Sequence, residues 1–591
     1  MEQRREYQYQ PLYGPRTIRV LSLAPGKETD EVQCELRHVE LGAESFEAIS
    51  YAWGDPRKRR VIGCGSGMLS ITDNLHSALI RLRREKEARV VWADAICINQ
   101  KDMNERSQQV QVMADIYRLS RITFIWLGNE THELRNSFSS IKGARSSFPL
   151  AHPTTVNCKD KNFRETYHFD IFQVAKHFRY LFDWNPICSM LRLPWFGRKW
   201  VVQEVAMSNK VIVLCGLQSL SWNILEELIF YISIFEIPFD TGLPWKPVVS
   251  YAMGNIYVMT QARWYKEHQT ISALLRNCRR FDCTDPRDHL FALLGIATDA
   301  AGESELLKSD YGLPMREVCR RFAVWSATVI GSLEFLSLGF EVDLDNDALS
   351  TWVPDFTRSS GENMVAMDSH FCASLDLCPR LNYHPKDQSL AITGLIVDTV
   401  KRVGSECRGS KPEHREMGKF TVELPREKML WMVECGCMAN DQPLGNMSPG
   451  RWEQFWRTLI WDNGFDPDRA SAAESAIVFR FFIARCTLLL ENHNEEWWEQ
   501  YEKDQQACGN AHDLAFKTRR FCCTEESRLA SVPGKTKVGD KICVLYGGKT
   551  PYVIRPHGNG RYKLVGICYL HGMMHGEALS MSFREEKLVF L

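Results

Sequence analysis

Over its first 216 residues the chain alternates short apolar runs with segments of helical period, and such alternation is the pattern of a parallel sheet with helices on both faces. Phe46 to Tyr51 reads as a strand running into the turn Ala52-Trp53-Gly54-Asp55-Pro56. A β-like stretch from Val61 to Ile71 folds back at the glycine-rich Gly63 to Gly67. Asp73 can cap a helix whose Leu75, Ala78, Leu79 and Leu82 keep the spacing of one buried stripe. Val90 to Ala93 is a short strand ending at Asp94, with a loop from Ala95 to Lys101. Asp102, with Glu105 three residues on, reads as a capping box for a helix carrying the stripe Val110, Met113, Ile116 and Tyr117. Ile122 to Leu127 is a strand stopped by Gly128, Trp195 to Met207 reads as helix, and Lys210 to Cys215 is a strand bounded by Gly216. At least four parallel strands are expected.

Four stretches organise the rest. Residues 1–45 read as a lead-in and residues 46–216 as the α/β domain, interrupted by an insertion at about 129–192 that contains a polar loop, Ser137 to Ser147, and a later aromatic helix. Residues 217–400 form a mainly helical middle region, with extended pieces near Thr351 to Phe356 and Ser389 to Val397. Residues 401–591 form an α+β region ending in short strands (Lys541 to Tyr546, Tyr552 to Arg555, Tyr562 to Tyr569, Lys587 to Leu591) between glycine-rich turns.

Charge and composition exclude several classes. With 72 basic and 73 acidic residues the formal charge is -1, so no global field draws in nucleic acid or an anionic membrane. The N-terminal segment lacks the apolar core of a signal peptide, and the most apolar later stretch, Ala476 to Leu490, is broken by Arg480 and Arg485. It reads as a buried helix, and the chain as cytoplasmic without a membrane span. Its 20 cysteines are scattered and read as reduced thiols. Cys568, His571 and His575, Cys435 with Cys437, and Cys522 with Cys523 lack paired metal-ligand spacing, so no metal site is expected. No phosphate-binding loop of the G-x-x-x-x-G-K type and no nucleophile-elbow motif occurs.

Three ordered blocks, Ala48 to Asp55, Val91 to Gln100, and Glu105-Arg106 with Gln109, Met113, Ile116 and Tyr117, resemble the signature of the fungal heterokaryon-incompatibility (HET) domain. Trp195 to Glu204 is similar to that family's fourth block. Thr284 to Asp288, Phe291 to Gly295, Trp352 to Asp355 and Val565 to Glu577 resemble segments that accompany it. The resemblance implies a filamentous fungus, a role in non-self recognition ending in programmed cell death, an incompatibility partner protein, and self-association. The order of strands and helices is also similar to the TIR domain, a flavodoxin-like fold. In TIR domains that cleave NAD a glutamate follows a helix tryptophan by four residues, a pattern met here by Trp200 and Glu204. The resemblance thus implies NAD as substrate, with no further cofactor required.

In residue terms, a spacing of four places Trp200 and Glu204 on one helix face, beside Val201 and Val205, with the carboxylate at a pocket rim. A half-shielded carboxylate suits glycosidic cleavage, in which positive charge develops on the ribose. Amphipathic helices also carry such glutamates as solvated or capping groups. Asp94, Ser50, Trp53 and Asp55 end their strands at the carboxyl edge of the sheet, where open α/β folds place ligand crevices, so these four with Trp200 are the expected binding residues. Asp94 equally suits a loop-organising acceptor beside Asn99 and Gln100, and Trp53 suits base stacking or plain core. Arg57 to Arg60 is a basic run placed to meet phosphates or to stay solvated. A non-catalytic adaptor acting through protein contacts is the alternative function.

Overall fold

The computed structural model describes residues 5–145, 184–234, 246–300, 304–338, 350–355, 371–407, 426–440, 447–462 and 519–591. The expected aromatic helix of the insertion and the apolar stretch Ala476 to Leu490 lie outside the described residues. The chain divides into two compact units, Met1–Met315 and Arg316–Leu591.

The first unit is built on a nine-stranded mixed sheet in the order β5-β4-β2-β1-β6-β3-β7-β8-β9. Its strands are β1 (Thr17–Leu23), β2 (Gln33–Glu40), β3 (Glu47–Tyr51), β4 (Arg59–Cys64), β5 (Gly67–Thr72), β6 (Arg89–Trp92), β7 (Thr123–Trp126), β8 (Val211–Cys215) and β9 (Gln218–Ser221). The four expected parallel strands are present: β3 pairs in parallel with β6 and β7, and β7 with β8. Every residue of β3 and β7 is buried, as both faces of a central parallel strand must be. What periodicity did not show is that residues 1–45 supply β1 and β2, an antiparallel pair that extends the sheet through β1 and β6.

The helices are α1 (Asp73–Leu82), α2 (Asp94–Cys97), α3 (Met103–Leu119), α4 (His132–Arg145), α5 (Trp184–Leu191), α6 (Val201–Met207), α7 (Trp222–Ile234), α8 (Lys246–Trp264), α9 (Ile271–Asn277) and α10 (Asp288–Leu294). The stripes expected for α1 and α3 are buried. Thr72, not Asp73, caps α1, its hydroxyl accepting from the Leu75 N–H. Two readings fail for identifiable reasons. Ser137 to Arg145 is helix, because Leu134, Phe138 and Ile141 form a buried stripe beneath a polar exterior. Trp195 to Met207 breaks into a 3-10 turn (Pro194–Gly197) and α6, because Arg198 bridges Asp282: the Asp282 N–H donates to Gly197 O (2.7 Å) and the Lys199 N–H to Asp282 O (2.8 Å).

Where α10 ends, Gly295 packs against Ala114 of α3 and Gln203 of α6: a Cβ built there would lie 2.5 Å from the Ala114 Cβ. Gly295→Ala is expected to cost about 1–3 kcal/mol by overpacking, read as a lower urea midpoint at unchanged slope.

The second unit carries β10 (Leu381–His384), β11 (Ser389–Glu406), β12 (Arg519–Thr524), β13 (Leu529–Pro533), β14 (Lys541–Leu545), β15 (Tyr552–Pro556), β16 (Arg561–Ile567), β17 (Tyr569–Leu570) and β18 (Glu585–Phe590). The short C-terminal strands are where the sequence puts them. Their closure is new. β11 pairs with β18 through Leu390–Leu395 and with β14 through Gly394–Thr399, so β14, β15, β16, β18 and β11 form a barrel-like ring. Gly394 sits where both partners meet, with Val544 O 2.6 Å from where a Cβ would stand. β11 runs on past residue 400 to pair with β12. Thr351 to Val353 is a turn rather than a strand, tied by the Thr351 N–H to Leu591 O (2.7 Å).

Candidate functional site

The carboxyl ends of β3 and β6 open into a cavity of about 1320 Å³ within the first unit. β3 contributes the turn that follows it, in which Gly54 takes φ +77°, a left-handed conformation suited to glycine. Asn74 at the start of α1 fixes that turn, donating to Ala52 O (2.6 Å) and accepting from Trp126 Nε1 (2.9 Å). Trp53 is held upright rather than buried: its Nε1 donates to Asp94 Oδ2 (3.0 Å) while the ring stays 43% exposed, leaving a face for stacking.

Glu204 lies on the first turn of α6 and is 3% exposed. It is neither a solvated nor a capping residue. Ser50 Oγ donates to its Oε2, and Trp195 Nε1 in turn donates to Ser50 Oγ (2.8 Å), so a buried relay from β3 and the 3-10 turn sets the carboxylate's orientation. Arg198 Nη1 stands 4.0 Å from Oε1. Burial dominates over that cation and over the Ser50 hydrogen bond, and pushes the carboxyl up to about 7.

The structure brings the sequence-selected residues together: Trp53, Asp55, Asp94, Trp200 and Glu204 all line the cavity, and Ser50 reaches it through Glu204. Asp55 is engaged by Arg57, in a side-chain pair of 3.0 Å and an N–H contact of 3.0 Å. Asp94 lines the cavity and is a local acceptor, taking hydrogen bonds from Trp53 Nε1 and from the Ala95 N–H (2.8 Å). The basic run is not at the cavity: Arg57 turns to Asp55, Arg59 to Ser70, and Arg60 to Asp73.

Sequence reading missed the far wall. Arg106, Asp285, Arg287, Asp288 and Tyr311 line it. Arg106 stacks on the Tyr311 ring at 3.7 Å, and the Tyr311 hydroxyl donates to Asp288 Oδ1 (2.5 Å). Asp288 also faces the Trp200 indole, and burial raises its pKa. The signal was present in Thr284 to Asp288, but nothing local connects it to a helix some 80 residues earlier. Among the described residues no group of three metal-ligating side chains occurs, and no helix is long and apolar enough to cross a membrane.

The family model for heterokaryon incompatibility protein (HET) matches residues 46–204, which holds Ser50, Trp53, Asp94 and Glu204. A second model, the Het-6 beta-barrel domain, matches residues 485–590, the stretch that contains β12 to β18. The chain is similar to heterokaryon incompatibility protein 6, OR allele, of Neurospora crassa, with 23% identity over 97% of this chain and 96% of that protein. No solved structure matches it significantly. A HET match at the cavity, a Het-6 barrel match at the C-terminus, and a fungal relative aligned from end to end make this chain similar to the HET-domain heterokaryon-incompatibility proteins.

Proposed function

We propose that the protein is a fungal non-self recognition effector that triggers cell death, and that its HET domain, TIR-like in fold, cleaves NAD to nicotinamide and ADP-ribose. The observation that carries the reading is Glu204: a buried, oriented carboxylate beside two indoles, in a cavity at the carboxyl edge of parallel strands. The strand order β6-β3-β7-β8 supports the fold assignment, because numbering those strands along the chain gives 2-1-3-4, the start of the flavodoxin-like order. By the right-handed crossover rule α1 then covers one face, and α3 and α6, which pack together, cover the other.

Each group has a task in this mechanism. Trp53 and Trp200 provide stacking faces for the planar rings, and Arg106 and Arg198 provide positive charge for the diphosphate. The bond between ribose C1 and the nicotinamide nitrogen breaks with its electron pair going to nitrogen, and Glu204 stabilises the positive charge left on the ribose. Water then attacks C1 and passes its proton to Glu204, whose pKa of about 7 suits a general base at neutral pH. ADP-ribose leaves. The remainder of the chain senses a partner protein or restrains the domain, and self-association assembles the active form.

Nicotinamide release by the concentrated full-length chain tests this, because a fragment ending near residue 220 would lack the wall from Arg280 to Tyr311. Glu204 must be ionised, so release should rise with pH through about 7. A concentrated, self-associated sample that releases none would transfer the domain to the adaptor class.

A further inference from the structure

The HET match ends at Glu204, yet the cavity that holds Glu204 is completed by later residues, and the wall they form is built around Asp288. This first residue of α10 lines the cavity although it is only 5% exposed. Its Oδ1 accepts from the Tyr311 hydroxyl (2.5 Å), and the indole N–H of Trp200, the residue before α6, is turned toward the same carboxylate. α10 begins without a side-chain cap, and the Asp288 carboxylate is directed instead at Tyr311 and Trp200. The neighbouring side chains hold Tyr311 in place. Arg287 donates to both Asp285 oxygens (2.8 Å each) and to Leu313 O (2.9 Å), which anchors the loop that carries Tyr311. Arg106 stacks on the Tyr311 ring and reaches Asp285 at 3.5 Å, and the Tyr311 N–H donates to Ser107 Oγ (3.1 Å) on α3.

We propose that Asp288 is a positioning residue for NAD: held by Tyr311 on one side, it accepts from the Trp200 indole N–H on the other and fixes the face against which the nicotinamide ring stacks. This inference rests on the NAD reading given above. Trp200 stands one helical turn before Glu204, and the Glu204 N–H donates to Trp200 O (3.1 Å), so the indole is the neighbour of the carboxylate assigned to ribose C1. The ring bonded to C1 is nicotinamide, which leaves the 43% exposed ring of Trp53 for adenine. A hydrogen bond at the indole N–H removes rotational freedom from the side chain before substrate arrives, and so lowers the entropic cost of stacking. Stacking of this kind acts on the bound substrate and on the transition state alike, so its loss shows in affinity rather than in turnover.

The test is calorimetric titration of the full-length Glu204→Gln chain with NAD, alongside nicotinamide release by the chain that keeps Glu204. Asp288→Asn retains an oxygen for Tyr311 but turns an amide N–H toward the indole N–H. It should weaken NAD binding about tenfold and raise KM to match, with kcat changed by less than about threefold. Trp200→Phe keeps a stacking face and loses the N–H; in that background Asp288→Asn should have no further effect on NAD affinity, which a purely structural role would not produce. Tyr311→Phe leaves the ring under Arg106 and should weaken NAD severalfold, which covers the case in which Asp288→Asn does not fold. Unchanged NAD affinity in Asp288→Asn or in a folded Tyr311→Phe, an equal loss with and without the Trp200 indole, or a fall in kcat at constant KM would overturn the inference. NAD binding without nicotinamide release would overturn the cleavage reading alone, and absence of NAD binding would overturn both.

Discussion

Glu204→Gln is expected to abolish nicotinamide release and, at pH 8, to make the protein more stable. Both effects come from one fact. Folding takes the carboxyl out of water and moves its pKa from 4.5 to about 7, so between those values the folded state binds more protons than the unfolded state. Stability supplied by the protonated form is fully present below pH 4.5 and is lost as pH rises through about 7. A shift of that size corresponds to about 3 kcal/mol at pH 8. The glutamine carries no such penalty and keeps an oxygen for Ser50. Unfolding free energies by urea at pH 5 and pH 8 should show a variant that gains over wild type mainly at pH 8. An equal difference at both pH values would mean that the folded protein does not hold Glu204 with a raised pKa. Loss of activity together with a gain in stability is the mark of a residue kept for chemistry rather than packing.

Glu105→Ala should be the most damaging single substitution away from the cavity, by about 3–5 kcal/mol. Arg19 on β1 is fully buried, and its guanidinium pairs with both Glu105 oxygens, at 2.5 and 2.9 Å. Its Nη groups also reach Cys97 O (3.1 Å) and Gln10 O (2.6 Å), Nε has no hydrogen-bond partner among the described residues, and Glu105 also accepts from the Asn99 N–H (2.6 Å). This pair therefore ties β1, the loop after α2 and the start of α3 to one another, with Arg106 of the cavity wall next in sequence. Removing the acid strands a buried cation. The double variant Arg19→Met, Glu105→Leu removes both charges and should lose much less. A double-mutant cycle by urea unfolding measures the difference, and equal losses for the single and double variants would contradict the assignment.

Glu105 also shows why reading one segment at a time has a limit. Three residues after a capping aspartate, its local meaning is a capping box, and Asp102 does cap α3 through the N–H groups of Asn104 and Glu105. The second half of the box is absent because a buried arginine from a strand 86 residues away competes for the carboxylate. α4 was hidden for a different reason: three apolar positions in a serine-rich stretch are too few to stand out until the surface they pack on is known.

The sequence by itself determined the central strands β3, β6, β7 and β8, the stripes of α1 and α3, and the residues at the carboxyl edge, because these follow from local periodicity and from one-dimensional spacing. Trp53 and Asp94 were legible in that way, whereas Trp200 and Glu204 were singled out by the resemblance to TIR domains that cleave NAD. Only the tertiary structure decided that Glu204 is buried, that Ser50 and Trp195 hold it, that Arg57 to Arg60 lie off the cavity, and that Arg106, Asp288 and Tyr311 form its far wall. It also decided that β11 closes a barrel with β14 and β18. The physical reason is the same in each case: desolvation, charge pairing and sheet closure depend on which distant segments come into contact, and periodicity carries no record of that.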